Sequence, residues 1–103
     1  MLRRKFIVSV FSVMVFFAAQ PVMADEALAQ SKNCLACHSV ANKIVGPAFK
    51  DIAAKYKGDG AALAALAGKV KQGGGGVWGA IPMPPNAVSE AEAETLVKWI
   101  LSL

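Results

Sequence analysis

The stretch KNCLACHSV, Lys32 to Val40, places Cys34, Cys37 and His38 within five consecutive positions, and they are the only cysteines and the only histidine of the chain. Several chemistries use such a cluster. A redox dithiol belongs on a βαβ framework, and no segment here alternates apolar and polar residues as a strand does. A structural zinc site takes four ligands from Cys, His or carboxylate, and two cysteines and one histidine are all that the chain offers of the first two. A disulfide between Cys34 and Cys37 would close a very small loop and leave His38 without a role.

C-x-x-C-H is the attachment sequence of c-type haem. On a helix, residues three apart share a face, so the sulfurs of Cys34 and Cys37 reach neighbouring vinyl groups and form thioethers. His38 follows at once, where the end of the helix lets its imidazole turn in to the iron. The motif implies one covalently bound haem c per chain.

The first 24 residues read as a leader rather than as part of the fold. MLRRK is a basic head, Phe6 to Ala19 is a 14-residue apolar run, and QPVMA ends with Val22 and Ala24 where a signal peptidase reads small residues. The run is shorter than the roughly 20 apolar residues of a membrane span. Cleavage after Ala24 is expected, with export to the periplasm and no membrane anchor afterwards. RRKFI loosely resembles a twin-arginine signal, but the long apolar core argues for the general secretory route.

Removing 24 of 103 residues leaves a domain of 79, Asp25 to Leu103, with eight lysines against seven acids. The net charge near +1 and the loss of both arginines exclude bidentate recognition of phosphate or bases. Nucleic acid is not an expected partner.

The 79 residues read as an all-α domain of about four helices. DEALAQSKNCLACH starts with Asp25 as an expected N-cap and continues through the cysteines. AFKDIAAKYKG stops at Gly58. DGAALAALAGKVKQ, with Asp59 as cap, presents Leu63, Leu66 and Val70 on one face. SEAEAETLVKWILSL opens with the Ser89/Glu92 spacing of a capping box and carries Leu96, Val97, Ile100 and Leu101 as its apolar stripe, extended by Leu103. Two segments lack helical periodicity, SVANKIVGP and GGGGVWGAIPMPPNAV. Gly73 to Gly76 lacks the Gly-Lys-Ser/Thr ending of a phosphate loop and reads as a flexible connector. Small domains bury little surface and commonly need a cofactor or staple. Alanine-rich helices supply little volume for a core, so the haem is expected to fill the centre.

Met83 is the only methionine beyond the leader, 45 residues after His38 and framed by Pro82 and Pro84. Proline pushes the residue before it out of the helical region, so AIPMPPNA is a stiff loop presenting one soft thioether. Met83 is the expected sixth ligand of the iron, with His38 as the fifth.

CLACH, GPAFKDIAAKY and GVWGAIPMPPN, followed by a last helix containing Trp99, resemble the short periplasmic class I cytochromes c, in order over Asp25 to Leu103. The resemblance implies that the carbonyl of Pro47 accepts a hydrogen bond from Nδ1 of His38. It implies too that the indole N–H of Trp78 bonds a haem propionate and that the amide of Asn86 steadies the methionine sulfur. Lys69 falls where relatives place a basic residue near the propionates, and Trp99 reads as core, packing the last helix on the first. In function it implies a monomeric one-electron carrier, not an enzyme. Its partners would be transient redox proteins, an upstream cytochrome c or quinol-oxidising complex and a downstream nitrite reductase or terminal oxidase. The competing reading is a haem-based ligand sensor or peroxidase-like domain in which Met83 dissociates; the sequence provides no distal histidine or arginine for it.

Overall fold

The structure is a computed structural model that describes residues 7–16 and 21–103. The basic head and residues 17–20 of the expected leader lie outside the described residues. Residues 7–16 form neither helix nor strand and are exposed. Among the described residues, no helix is long and apolar enough to cross a membrane.

Four helices follow: α1 (Pro21–Ser31), α2 (Phe49–Lys55), α3 (Ala62–Gln72) and α4 (Glu90–Leu101), with a 3-10 turn at Cys34–Ala36. No strand forms among the described residues; two isolated bridges, His38 with Lys43 and Gly74 with Met83, close the two non-helical segments. The all-α expectation therefore holds.

In the uncleaved chain Asp25 lies inside the first helix rather than at its start. α1 begins at Pro21, where a proline fits the first helical position because its missing N–H would have no partner there. Nor does α1 run on through the cysteines. It ends at Ser31, and Asn33 adopts a left-handed conformation, φ 61°, which an asparagine tolerates better than most residues. Asp59 sits two residues ahead of the α3 N-cap, Ala61, and its Oδ1 accepts from the Ala61 N–H at 2.9 Å, an Asx turn leading into the helix.

α4 is the centre of the packing, in contact with α1, α2 and α3. Its heptad-like spacing puts Ala93, Leu96, Val97, Trp99 and Ile100 inward. Leu96 and Val97 are each 1% exposed, worth about 1.5–3 kcal/mol per side chain when fully buried. The helix stops at Leu101, which leaves Leu103 outside the core rather than extending the stripe. Ala29 of α1, Phe49 of α2 and Val88 complete the main cluster. Trp99 packs α4 on α2: its ring stands edge-on to Phe49, centroids 5.5 Å apart.

The start of α4 has the expected capping box. Ser89 Oγ accepts from the Glu92 N–H at 3.1 Å, and Glu92 Oε1 accepts from the Ser89 N–H at 3.0 Å. The other Glu92 oxygen lies 3.2 Å from Lys32 Nζ. One carboxylate thus caps α4 and ties it to the chain just ahead of the cysteines. The Ser89 N–H first, then the Lys32 side chain, hold the Glu92 carboxyl below its ordinary range. A lowered carboxyl contributes stability above its unfolded value, about 4.3, and loses it as pH falls through the lower folded value.

Ser89→Ala is therefore expected to cost about 1 kcal/mol of stability in denaturant titration at neutral pH. The stability difference between the wild type and Glu92→Gln should be present at pH 7 and shrink as the pH is taken below about 4; a difference that grows in acid would contradict the assignment.

Candidate functional site

The break after α1 sets the geometry of the cluster. Cys37 N–H and His38 N–H both donate to Cys34 O, at 3.2 and 3.0 Å. The cysteines therefore sit on a 3-10 turn rather than on a continuing α-helix. The His38 bond spans four residues as in an α-helix, and in either geometry residues three apart share a side of the turn. Both sulfurs are half-buried. Among the described residues, no group of three or more His, Cys, Asp or Glu side chains could hold a metal ion.

His38 is 9% exposed and fixed from three directions. Phe49 stacks on the imidazole, centroids 5.0 Å apart and planes 21° from parallel. Nδ1 lies 2.7 Å from the Pro47 carbonyl oxygen. A carbonyl can only accept, so Nδ1 carries the proton and Nε2 keeps its lone pair. Gly46 makes the third approach: a Cβ there would meet Cε1 at 2.5 Å and Nδ1 at 2.8 Å. The loop that delivers Gly46 and Pro47 is folded back by Gly46 N–H to Cys37 O at 2.8 Å and Phe49 N–H to Ser39 O at 2.9 Å.

Cys34, Cys37, His38 and Met83 all line one cavity of about 510 Å³. Its apolar wall comes from α3 and α4, with Leu66, Val70, Leu96, Val97 and Ile100. The centre that the alanine-rich helices cannot fill is thus real space. Trp78 and Lys69 line it too. Trp78 is partly exposed, and Lys55 Nζ lies 5.6 Å from its ring centroid, within range of a cation–π contact.

One expectation changes here. Gly73 to Gly76 is no slack connector: Gly74 exchanges both main-chain hydrogen bonds with Met83, N–H to O at 3.0 Å and 2.8 Å. Asn86 Nδ2 donates to Val70 O at 2.9 Å and to Pro84 O at 3.3 Å. Both acceptors are main-chain carbonyls, one on α3 and one in the methionine loop. Gly46, Phe49, Gly74 and Lys55 escaped the sequence reading as site residues. Only the GP dipeptide of VGP gave a signal, and that was the signal of a turn.

Gly46 and Gly68 offer a matched pair. At Gly46 a methyl group must displace the imidazole, so Gly46→Ala should destabilise the protein by about 1–3 kcal/mol. At Gly68, inside α3 with nothing within 4 Å of a Cβ, Gly68→Ala should stabilise it by about 0.4–1 kcal/mol. Denaturant midpoints of the two variants check both signs.

Comparison with known proteins bears on the same residues. The family model described as cytochrome c matches residues 24–103. Cytochrome c-551 of Pseudomonas aeruginosa is 58% identical over 77 residues, covering 75% of this chain and 74% of its own length. Cytochrome c-552 of Nitrosomonas europaea is 53% identical over 94 residues, covering 90% and 91%. The crystal structure of wild-type Nitrosomonas europaea cytochrome c552 superposes with a TM-score of 0.74 at 58% identity, covering 76% of this chain and 98% of that one. The residues present fit the group this family binds: paired thiols on one turn, a buried imidazole with one free nitrogen, and an apolar cavity between them and a thioether. The chain belongs to the cytochrome c family, and its haem c is attached through Cys34 and Cys37.

Proposed function

We propose that this cytochrome c is a periplasmic one-electron carrier with His38 and Met83 as axial ligands, exported by the leader at residues 1–24 and released after Ala24. The observation that carries the reading is that one cavity is lined at once by Cys34, Cys37, His38 and Met83, while the Pro47 carbonyl occupies the other nitrogen of the imidazole. When bound, the haem supplies reversible one-electron exchange between ferrous and ferric iron.

The side chains tune and protect that exchange. Pro47 holds the Nδ1 proton, which makes Nε2 the better donor and fixes the plane of the ring. Phe49 and Gly46 prevent the ring from turning away. The thioether of Met83 favours the lower charge state. Leu66, Val70, Leu96, Val97 and Ile100 present no polar atom to stabilise an added charge and exclude water from the wall. The Trp78 indole and the Lys69 ammonium are proposed to serve the propionates. Asn86 is proposed to act on Met83 through the loop main chain. With two protein ligands in place no coordination position is left for a substrate, so we assign no enzymatic activity. The only histidine of the chain is already committed as the fifth ligand, which leaves none to activate a peroxide.

Electrons would leave at the cavity mouth. Ile44, 54% exposed, and Ile81, 70% exposed, border it with Val45 and Lys43. Such a patch suits a brief encounter burying less than about 1,200 Å². A monomer exchanging electrons with an upstream cytochrome c or quinol-oxidising complex and a downstream nitrite reductase or terminal oxidase is the corresponding partner set.

Met83→Ala should keep the covalent haem but abolish the weak sulfur-to-iron band of the oxidised spectrum, lower the potential and admit carbon monoxide to the reduced form. A surviving band would refute Met83 as ligand. Ile44→Glu or Val45→Glu should slow oxidation by a nitrite reductase or terminal oxidase, followed by stopped flow, more than Lys57→Glu, with the spectrum unchanged. Lys57 is the better reference than Lys55, whose ammonium lies over Trp78. Equal slowing would move the exit site elsewhere.

A further inference from the structure

In the run Pro82-Met83-Pro84-Pro85, Met83 is the only residue with a main-chain N–H, because proline has none. That single donor goes to Gly74 O at 2.8 Å, and Gly74 N–H returns the bond to Met83 O at 3.0 Å. One residue earlier, Gly73 ends α3 with its N–H on Lys69 O at 2.7 Å and φ at 76°. A Cβ at Gly73 would lie 2.5 Å from Met83 O, 2.9 Å from Pro85 N and 3.0 Å from Pro84 C. All three are main-chain atoms, so no side-chain rotation could relieve the clash. From the other side Asn86 Nδ2 reaches Val70 O on the last turns of α3. The loop carrying the thioether is thus pressed main chain to main chain against the end of α3.

We propose that Gly73 and Gly74 are the positioning residues for Met83: a main-chain clamp orders the ligand loop independently of any bond from its sulfur. The inference rests on the reading of Met83 as sixth ligand. The polar bonds of the clamp use the one donor the proline run possesses. Its close contact uses the one residue type that has no Cβ. A loop ordered in this way meets the iron with little entropy left to lose, which keeps the sulfur from yielding to other ligands.

Gly58 supplies the control. Its φ is 79°, nearly that of Gly73, but nothing lies within 4 Å of a Cβ placed on it. Alanine is therefore strained by a positive φ at both positions, more so at Gly73 where ψ is −173°, and it meets the ligand loop at Gly73 alone. In the holoprotein, Gly73→Ala should weaken the sulfur-to-iron band and raise the affinity of the reduced form for carbon monoxide by about tenfold or more, the scale of one overpacked contact that must push the loop aside. Gly58→Ala should lower the thermal midpoint while leaving the band and carbon monoxide affinity at wild-type values. If the two variants match in band and affinity, Gly73 acts through general stability and the clamp is refuted.

Amide hydrogen exchange provides a test that does not depend on Gly73→Ala folding. In Met83→Ala, which lacks the sulfur, the amides of Gly74 and of position 83 should stay as protected as in wild type. Free exchange there would mean that the iron orders the loop, and would overturn the proposal. The two readings fail separately: a band that survives Met83→Ala removes the ligand assignment, whereas a band lost in Met83→Ala but intact in Gly73→Ala removes only the clamp.

Discussion

The hydrogen bond from His38 Nδ1 to the Pro47 carbonyl, 2.7 Å long, is the contact on which the rest of the site depends. It can form only if the chain doubles back between His38 and Phe49. Cys37 O and Ser39 O hold that return by accepting from Gly46 and Phe49. The return brings Gly46 against the imidazole, and no residue with a Cβ fits there. It also starts α2 with Phe49 stacked on the ring. Phe49 in turn meets Trp99 of α4. One imidazole thus sits at the end of a line of aromatic contacts that reaches the most buried helix. Its orientation is a property of the whole fold.

The energetics run the same way. α1 and α3 are built largely from alanine and small residues, and only α4 contributes several large buried side chains. A domain of this size, with a cavity of about 510 Å³ at its centre, cannot rest on helix packing alone. Haem c bound in this cavity would supply apolar surface to the wall formed by Leu66, Val70, Leu96, Val97 and Ile100. Surface ion pairs add little by comparison. Lys71–Glu90 at 3.6 Å and Lys32–Glu92 at 3.2 Å are both solvent-accessible, and such pairs contribute about 0–1 kcal/mol. Lys32–Glu92 matters more for what it joins, since its carboxylate is also the cap of α4.

What was legible in the sequence follows from how local each signal is. C-x-x-C-H, the Ser89/Glu92 box and the proline frame of Met83 are each specified within a few residues, and each could be read directly. The helices were legible from periodicity, but their starts were not. Asp25 and Asp59 are good caps in isolation, and neither occupies the cap position in the uncleaved chain: residues ahead of Asp25 extend α1 to Pro21, and an Asx turn intervenes before α3. Asn33 broke a helix that alanines and leucines seemed to continue, because a left-handed residue is chosen by what lies on both sides of it. Gly46 and Gly73 were the hardest to read. A glycine used for a close approach looks, in one dimension, like a glycine used for slack. Only the partner across the gap, an imidazole in one case and a proline loop in the other, distinguishes the two.

The two proposed axial ligands differ in how they must be held. His38 adjoins both covalent anchors, so the attachment of Cys37 already confines it to a small volume. Met83 is 45 residues away, and bringing a distant loop to a fixed point has an entropic cost that grows with the length of the intervening chain. The structure answers each case differently. On the histidine side a carbonyl, an aromatic ring and a bare α-carbon fix the orientation of a group whose position is already set. On the methionine side the position itself must be set, and main-chain pairing with the end of α3 does it. Proline removes freedom from the loop before folding, and glycine removes the obstacle to docking it. On this reading the polypeptide would hold the haem from one side through covalent bonds and meet it from the other through its own backbone, leaving the soft Met83 sulfur no structural duty beyond ligation.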